Sequence, residues 1–506
     1  LVALCDCWAL AVRVAASTLA ESRAVPIDVY LGMLRRTPSA VLPAIARVLD
    51  ASLALLDDTL QKHWRLLGAM ASDFDAEAAQ GLWEPDVDDL ASSTYLTLDA
   101  LHRASLIEIA SGDAAAAPRY RLHDLARDHA LAQLRRHGEE RLARLFHATH
   151  YLLGLQANDE RFLAGHEGEQ EALAWFDREW PQLEAMQRFV ADAVAAPTLD
   201  EVDARRVRLA ALAPNSGVNM LNLRLHPREH LQWLEAGVEA SRRLDDPATE
   251  LTHLGNIGAL YMNRGLYAQA VDHFKRSLRV ARQLGDRAAE GNLLGNLGGA
   301  ARLMRDPTGA KVYYGQAIDI ARELKDRRAE GGRLGNLGNA CGEMDDWPGA
   351  VAHFEQSLAI ARETGDGRGQ AARLSNLAVA WDHLGEPRKA LAYGEQSLEV
   401  ARRLKDRSAE GNALNAMGTV WRGMDESRRA VGCYEEALAI AIDLGQGDSA
   451  ARRGFNLALA LNACGDRAGA CARMREARDR YAALQLPEAQ DAQCRLAEWG
   501  CTAPPA

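Results

Sequence analysis

The most regular chemistry in this chain is carried by carboxamides. Asn256, Asn296, Asn336, Asn376 and Asn456 fall forty residues, or a multiple of forty, apart. An asparagine side chain offers a carbonyl acceptor and an amide donor together, so a row of them can pair with the backbone of a peptide whatever its side chains. The same groups can instead bond to an adjacent helix and only brace a stack. Ala416 interrupts the row in the fifth copy, which a purely bracing bond gives little reason for, so binding is the favoured use. Asn339, with Arg333 and Arg373 near the rim, completes the set of candidate peptide contacts; Arg453, Asn412 and Asn415 lie on or beside the same stripe.

Other groupings promise less. His147 and His150 are three apart, about one helical turn, which is a metal-binding geometry without an evident third ligand. The eight cysteines show neither zinc spacing nor a dense disulfide framework, and free thiols in a reducing compartment are expected, Cys5 and Cys7 included. No Gly-x-x-x-x-Gly-Lys-Ser/Thr loop, Gly-x-Ser-x-Gly elbow or His-Glu-x-x-His helix occurs, so no catalytic residue is assigned and no cofactor or metal is expected in this chain. Acidic residues beside Arg and Lys at helical spacing, as in Asp319 to Lys325, read as solvated faces.

The elements that must position the asparagines repeat with them. Frames opening at Leu251, Gly291, Gly331, Ala371, Gly411 and Ala451 carry Gly or Ala at their eighth position and Ala at their twentieth, from Ala270 to Ala470. Small residues at both places let two helices approach closely, while Ile257, Leu297, Leu337 and Leu377 with Phe274, Tyr314, Phe354 and Tyr434 fill the seam. Gly394 and Met474 replace the aromatic in the fourth and sixth copies, where looser packing is expected. A fixed period of this size predicts stacked helix pairs that hold a partner. The first helix of each pair lines the inner wall, and its second, sixth, ninth and thirteenth positions share one stripe.

This pattern resembles the tetratricopeptide repeat, although the usual period is about 34 residues. The longer form, with its added length placed in the second helix and in loops such as Leu284 to Arg287, is similar to the repeats of kinesin light chain and of Leu-Gly-Asn adaptors. In that family the recurrent Asn contacts bound peptide, which carries the same role to the five asparagines here.

Residues 53–136 have another character. Helical patterns over Leu53 to Met70, Ala76 to Leu82 and Val87 to Arg103 precede strands around Leu106 to Ile109 and Tyr120 to Leu122, a winged-helix order. The third helix sets Asp88, Asp89 and Asp99 against Arg103 alone, where a DNA reader would present basic residues, so base reading is not expected. The stretch Arg119 to Leu125 resembles the winged helix of STAND signalling ATPases, the class containing NB-ARC proteins. There the His of a Met-His-Asp motif approaches the β-phosphate of ADP, and His123 is the matching position, with Leu122 in place of Met. The alternative for His123 is a cap on a helix starting at Asp124. Leu4 to Val12 is similar to that family's Gly-Leu-Pro-Leu-Ala-Leu segment, with Ala9 where its Pro stands. The resemblance implies that an ADP- or ATP-binding domain precedes Leu1, so that this chain begins inside a longer protein.

Between these halves the pattern is helical, with Trp175, Trp180 and Trp233 read as core, and Arg228 to Asp246 stands in register as the second helix of an earlier degenerate pair. The expected organisation is a helical segment at 1–52, a winged-helix-like domain at 53–136, a helical linker at 137–246, and a tetratricopeptide superhelix with closing helix at 247–506. The chain has 506 residues, 48% apolar and 25% charged, with net charge −11 and no apolar run long enough to span a bilayer. Nucleic acid and membrane are therefore not expected partners. The expected fold is mainly α, an α-α superhelix after a small winged helix, and the chain is not expected to be an enzyme. The expected function is the cytoplasmic ligand-sensing region of a STAND-type regulator, binding a protein or peptide on its concave face. The family implies homo-oligomers on activation. The rival is a plain scaffold without a nucleotide switch.

Overall fold

The computed structural model describes residues 13–17, 20, 26, 28–29, 44–83, 92–110, 117–165 and 167–501. Residues 4–12, with Cys5, Cys7 and Ala9, lie outside them, as do the start of the third expected helix and most of the hairpin turn. The chain divides into two compact units, Leu1–Leu260 and Tyr261–Ala506.

In the first unit, α1 (Ala44–Leu53), α2 (Asp58–Leu66), α3 (Ala76–Trp83) and α4 (Ser92–Arg103) precede β1 (Glu108–Ile109) and β2 (Tyr120–Arg121). The strands pair antiparallel, Glu108 opposite Arg121 and Ile109 opposite Tyr120. A single helix from Leu53 to Met70 is not formed. Instead α1 stops at Leu53, and the carboxylate of Asp57 accepts the Leu60 N–H at 2.8 Å, capping a new helix. Then follow α5 (Asp124–His137), α6 (Glu140–Leu163), α7 (Glu167–Val194), α8 (Glu201–Ser216), α9 (Val218–Arg224) and α10 (Pro227–Arg243). Trp64, Phe74, Leu98, Leu155, Leu183 and Trp233 belong to one buried core, and Trp175 and Trp180 pack on it. A polar cluster is buried within. Glu179, 2% exposed, receives Arg119 at 2.7 Å, and Arg119 also bonds Asp73 at 3.0 Å.

α11 (Pro247–Asn263) follows, and the second unit is a solenoid of stacked helix pairs. After α12 (Tyr267–Leu284) come α13 (Arg287–Leu303), α14 (Pro307–Glu323), α15 (Arg327–Glu343), α16 (Trp347–Glu363), α17 (Gly367–His383) and α18 (Pro387–Arg403). The array goes on through α19 (Arg407–Gly423), α20 (Ser427–Asp443), α21 (Gly447–Ala463) and α22 (Arg467–Ala483) to α23 (Glu488–Glu498). The forty-residue period now has a cause. First and second helices from α13 on are each 17 residues long, so the added length is not confined to the second helix. Short links such as Met304 to Asp306 separate them, with a left-handed residue in the middle: Arg305, Lys325, Asp345, Lys405 and Asp425, or Gly285, Gly365, Gly385, Gly445 and Gly465. At most of these links an Asp then caps the next helix, as Asp306 does by accepting the Gly309 N–H at 2.8 Å, whereas Glu386, Glu426 and Gln446 make no such bond.

The small eighth position is matched to the aromatic of the second helix. A methyl on Gly298, Gly338 or Gly418 would lie 2.7, 2.6 or 2.8 Å from the ring of Tyr314, Phe354 or Tyr434. Where the eighth residue is Ala378 or Ala458, the ring is replaced by Gly394 or Met474. The expected loosening does not follow. Met417 from the next copy fills the space at Gly394, its Cγ 2.6 Å from where a methyl there would sit, and Met474 is fully buried.

Two further expectations are corrected. Cys471 on α22 and Cys501 after α23 form a disulfide, because α23 folds back and brings their Cα atoms to 5.8 Å. Among the described residues Cys341, Cys433, Cys464 and Cys494 are free. Nor are all the acidic residues beside arginines solvated. Glu290, Glu330 and Glu410 are buried at helix starts, each clamped by two arginines: Arg282 and Arg287, Arg322 and Arg327, Arg402 and Arg407. Arg287 and Arg327 go on to Glu323 and Glu363, both at 2.6 Å, tying the start of the first helix of each pair to the end of its second. Burial raises the Glu330 pKa, but the hydrogen bonds from Arg322 and Arg327 outweigh it and hold the carboxyl below its ordinary value.

Candidate ligand-binding face

The first helices of the second unit bury one side and leave another open. Leu294, Leu297 and Gly298 on α13 and Leu334, Leu337 and Gly338 on α15 are buried, because residues three and four apart share a face. The opposite stripe holds the carboxamides. Asn296 and Asn336 are exposed. Among the described residues neither side chain has a hydrogen-bond partner within the chain. Asn376 and Asn456 are half-buried, and each donates to a neighbouring copy: Asn376 to Asn339 and Asn456 to Asn415, both at 3.1 Å. Each such pair leaves the oxygen and one N–H of the donating residue, and both N–H groups of the accepting residue, free to face a ligand. Together they are the complement of a peptide group. Asn256 is half-buried on α11 in the first unit, and Ala416 is buried on α19. Bracing and binding are thus not exclusive: one N–H of a paired Asn braces while its oxygen stays open.

Arg333 and Arg373 are not rim residues, because their side chains run beneath the stripe. Arg333 donates to the Ala317 carbonyl at 3.0 Å and to Asn292 Oδ1 at 2.9 Å. Arg453, 1% exposed, repeats this arrangement three copies further on, donating to the Ala437 carbonyl at 2.8 Å and to Asn412 Oδ1 at 2.9 Å. Arg373 follows Gly332 instead of an Asn and donates to Ser357 Oγ at 2.9 Å, its guanidinium pressed over Gly335. Burial lowers the pKa of all three guanidinium groups from the ordinary value. Their hydrogen bonds go to the preceding copy, so they fix the spacing at which the asparagines stand. Asn292 escaped the sequence reading. Its signal was available, since Asn stands at the second position only in the copies preceding Arg333 and Arg453.

A groove of about 320 Å³ opens beside the Asn339–Asn376 pair, lined also by Gly342, Trp347, Val379 and the ion pair of Arg302 with Glu343 at 2.8 Å. Trp347 is held by a stack on His383, centroids 3.8 Å apart. An apolar wall next to a free donor and acceptor is what one peptide residue and its backbone need.

In the first unit His123 is exposed, and its Nδ1 accepts the Leu125 N–H at 3.3 Å, capping α5. His226 caps α10 in the same way. His147 is buried, its Nε2 donating to Gln182 Oε1 at 2.8 Å, and burial pushes its pKa down to about 4. His150 packs against Gly81, so the two rings are used in core packing. Among the described residues, no three His, Cys, Asp or Glu side chains gather as a metal site, and no helix is long and apolar enough to cross a membrane.

Fold and face define a helical repeat protein whose open stripe can take an extended ligand. Residues 249–323 and 334–403 match the tetratricopeptide repeat, and these repeats are therefore tetratricopeptide repeats. No curated protein matches the chain. Among solved structures, a STAND protein with a tetratricopeptide repeat sensor from Pyrococcus horikoshii is similar over 96% of this chain and 68% of its own, at 14% identity and TM-score 0.48. BtubC from P. vanneervenii is 24% identical over 43% of this chain and 92% of its own, TM-score 0.38. A Rap protein complexed with competence and sporulation factor is 13% identical over 69% and 98%, TM-score 0.42.

Proposed function

We propose that this chain is the ligand-sensing and regulatory region of a STAND-type signal-transduction protein, and that its repeats bind a protein or peptide in extended form along the asparagine stripe. The observation that carries the binding half is the row of carboxamides with free donors and acceptors, from Asn296 and Asn336 to the Asn376–Asn339 pair. Arg333 and Arg373 hold the row in register. The order Leu122-His123-Asp124, tryptophan-bearing helices and repeats supports the STAND half, with 53–136 as its winged helix. In this reading an upstream domain binds ADP or ATP, the protein works in the cytoplasm, and ligand capture leads to self-association. To move such a switch from 1:99 to 99:1, the ligand must favour the open state by about 5.5 kcal/mol.

A specific observation favours the second reading, an adaptor without a nucleotide switch: His123 is already used as a helix cap, as His226 is. Sequence upstream of Leu1 separates the two, a phosphate loop pointing to the switch. The binding half is tested by Asn336→Ala with Asn376→Ala in the full chain. Titration calorimetry with the captured partner should show at least a tenfold loss of affinity at unchanged helicity. Unchanged affinity, or a protein that melts, overturns it.

A further inference from the structure

The second helices carry a site that the asparagine stripe does not use. Between α12 and α14, above α13, lies an open groove of about 680 Å³. Its floor is Leu278, Leu294 and Leu297, and Lys275 and Arg279 stand at its edge. Both cations are exposed, and among the described residues neither is in an ion pair; Arg282, also on the groove, is held by Glu290 at 2.7 Å.

Comparison among the copies sets this place apart. At the position of Lys275 the later copies have Gly315, Glu355, Glu395, Glu435 and Arg475; at the position of Arg279 they have Asp319, Ala359, Glu399, Ala439 and Asp479. The first copy alone is cationic at both. Neither position touches the seam between helices, so packing gives no reason for the reversal. The chain as a whole has net charge −11. An acidic partner is therefore repelled by most of the surface and attracted here, which gives selectivity to one place.

We infer that this groove docks an acidic peptide segment of a partner protein, an apolar side chain entering over Leu278 while flanking carboxylates meet Lys275 and Arg279. The volume falls in the range of pockets that enclose a ligand, roughly 300–1,000 Å³. The docking is independent of the asparagine stripe.

The test uses the full chain and a fluorescein-labelled peptide with a central phenylalanine flanked on both sides by glutamates. Anisotropy should saturate, and the affinity should fall about tenfold or more in K275E/R279E, whose exposed positions leave circular dichroism unchanged. Raising salt should weaken binding, since screening acts over about 8 Å at physiological strength. A peptide with serine in place of phenylalanine should bind several-fold more weakly. Asn336→Ala with Asn376→Ala should leave the affinity alone, so failure here does not touch the stripe. The inference is overturned by absence of saturation, by equal loss in the control R403E, by affinity indifferent to K275E/R279E, or by sedimentation showing that a second copy of the chain fills the groove.

Discussion

The two units are held together in different ways. In the first, the decisive polar contacts join residues far apart in the chain: Arg119 with Glu179, sixty residues on, and the Ala71 N–H with Gln182, more than a hundred on. In the second, they reach only to the next copy: Arg322 to Glu330 across one link, Arg333 to Asn292 across one repeat. A unit of the first kind concentrates its stability in a few buried groups. One of the second kind spreads it over near-equivalent interfaces, so that damage stays local.

The sharpest way to break this contrast is Arg119→Ala. It strands Glu179, 2% exposed, with only the half-exposed Arg178 beside it. Losing one partner of a buried pair costs about 3–5 kcal/mol. Urea unfolding should show an early transition for the first unit with the second unmoved; equal movement of both would refute separate cooperativity.

Acid gives the next largest effect. His147, neutral in the fold with a pKa near 4 against an ordinary 6.5, is protonated first in the unfolded chain. Stability is then present above pH 6.5 and is lost as pH falls from there toward 4, by about 3 kcal/mol at the limit. Half-buried His150 and buried His230 and His253 of the same unit shift in the same direction. Denaturation midpoints measured across that range should flatten in His147→Gln. A slope unchanged by that substitution would assign the acid response to the other three.

Smaller, and confined to one copy, is Gly338→Ala. Its methyl meets Phe354, and overpacking of this kind costs about 1–3 kcal/mol. Ala378→Gly, where Gly394 stands opposite, should cost less, and hydrogen exchange should show the disturbance only in adjoining helices. Protection lost along the whole array would mean that the copies are not independent.

Much of this was legible in the sequence, and the reason is distance. The asparagine stripe and the small eighth position depend on helical periodicity and on the partner helix one link away, so spacing alone reveals them. The inward course of Arg333, the clamps on Glu290, Glu330 and Glu410, and the filling of the Gly394 gap by Met417 depend on which neighbouring copy supplies the missing atoms. Charge counted along one helix face reads Glu330 as solvated, because its two arginines sit on different helices. The His147–Gln182 bond and the Cys471–Cys501 disulfide were out of reach for the same reason.

By itself, then, the sequence determined the period, the helix pairs and the row of carboxamides, since each follows from residues within about one repeat. Tertiary structure alone decided which of those amides remain free, which arginines brace them, and where the first unit keeps its buried charges. Those outcomes turn on desolvation and on partners brought together from distant positions, and no local pattern encodes them.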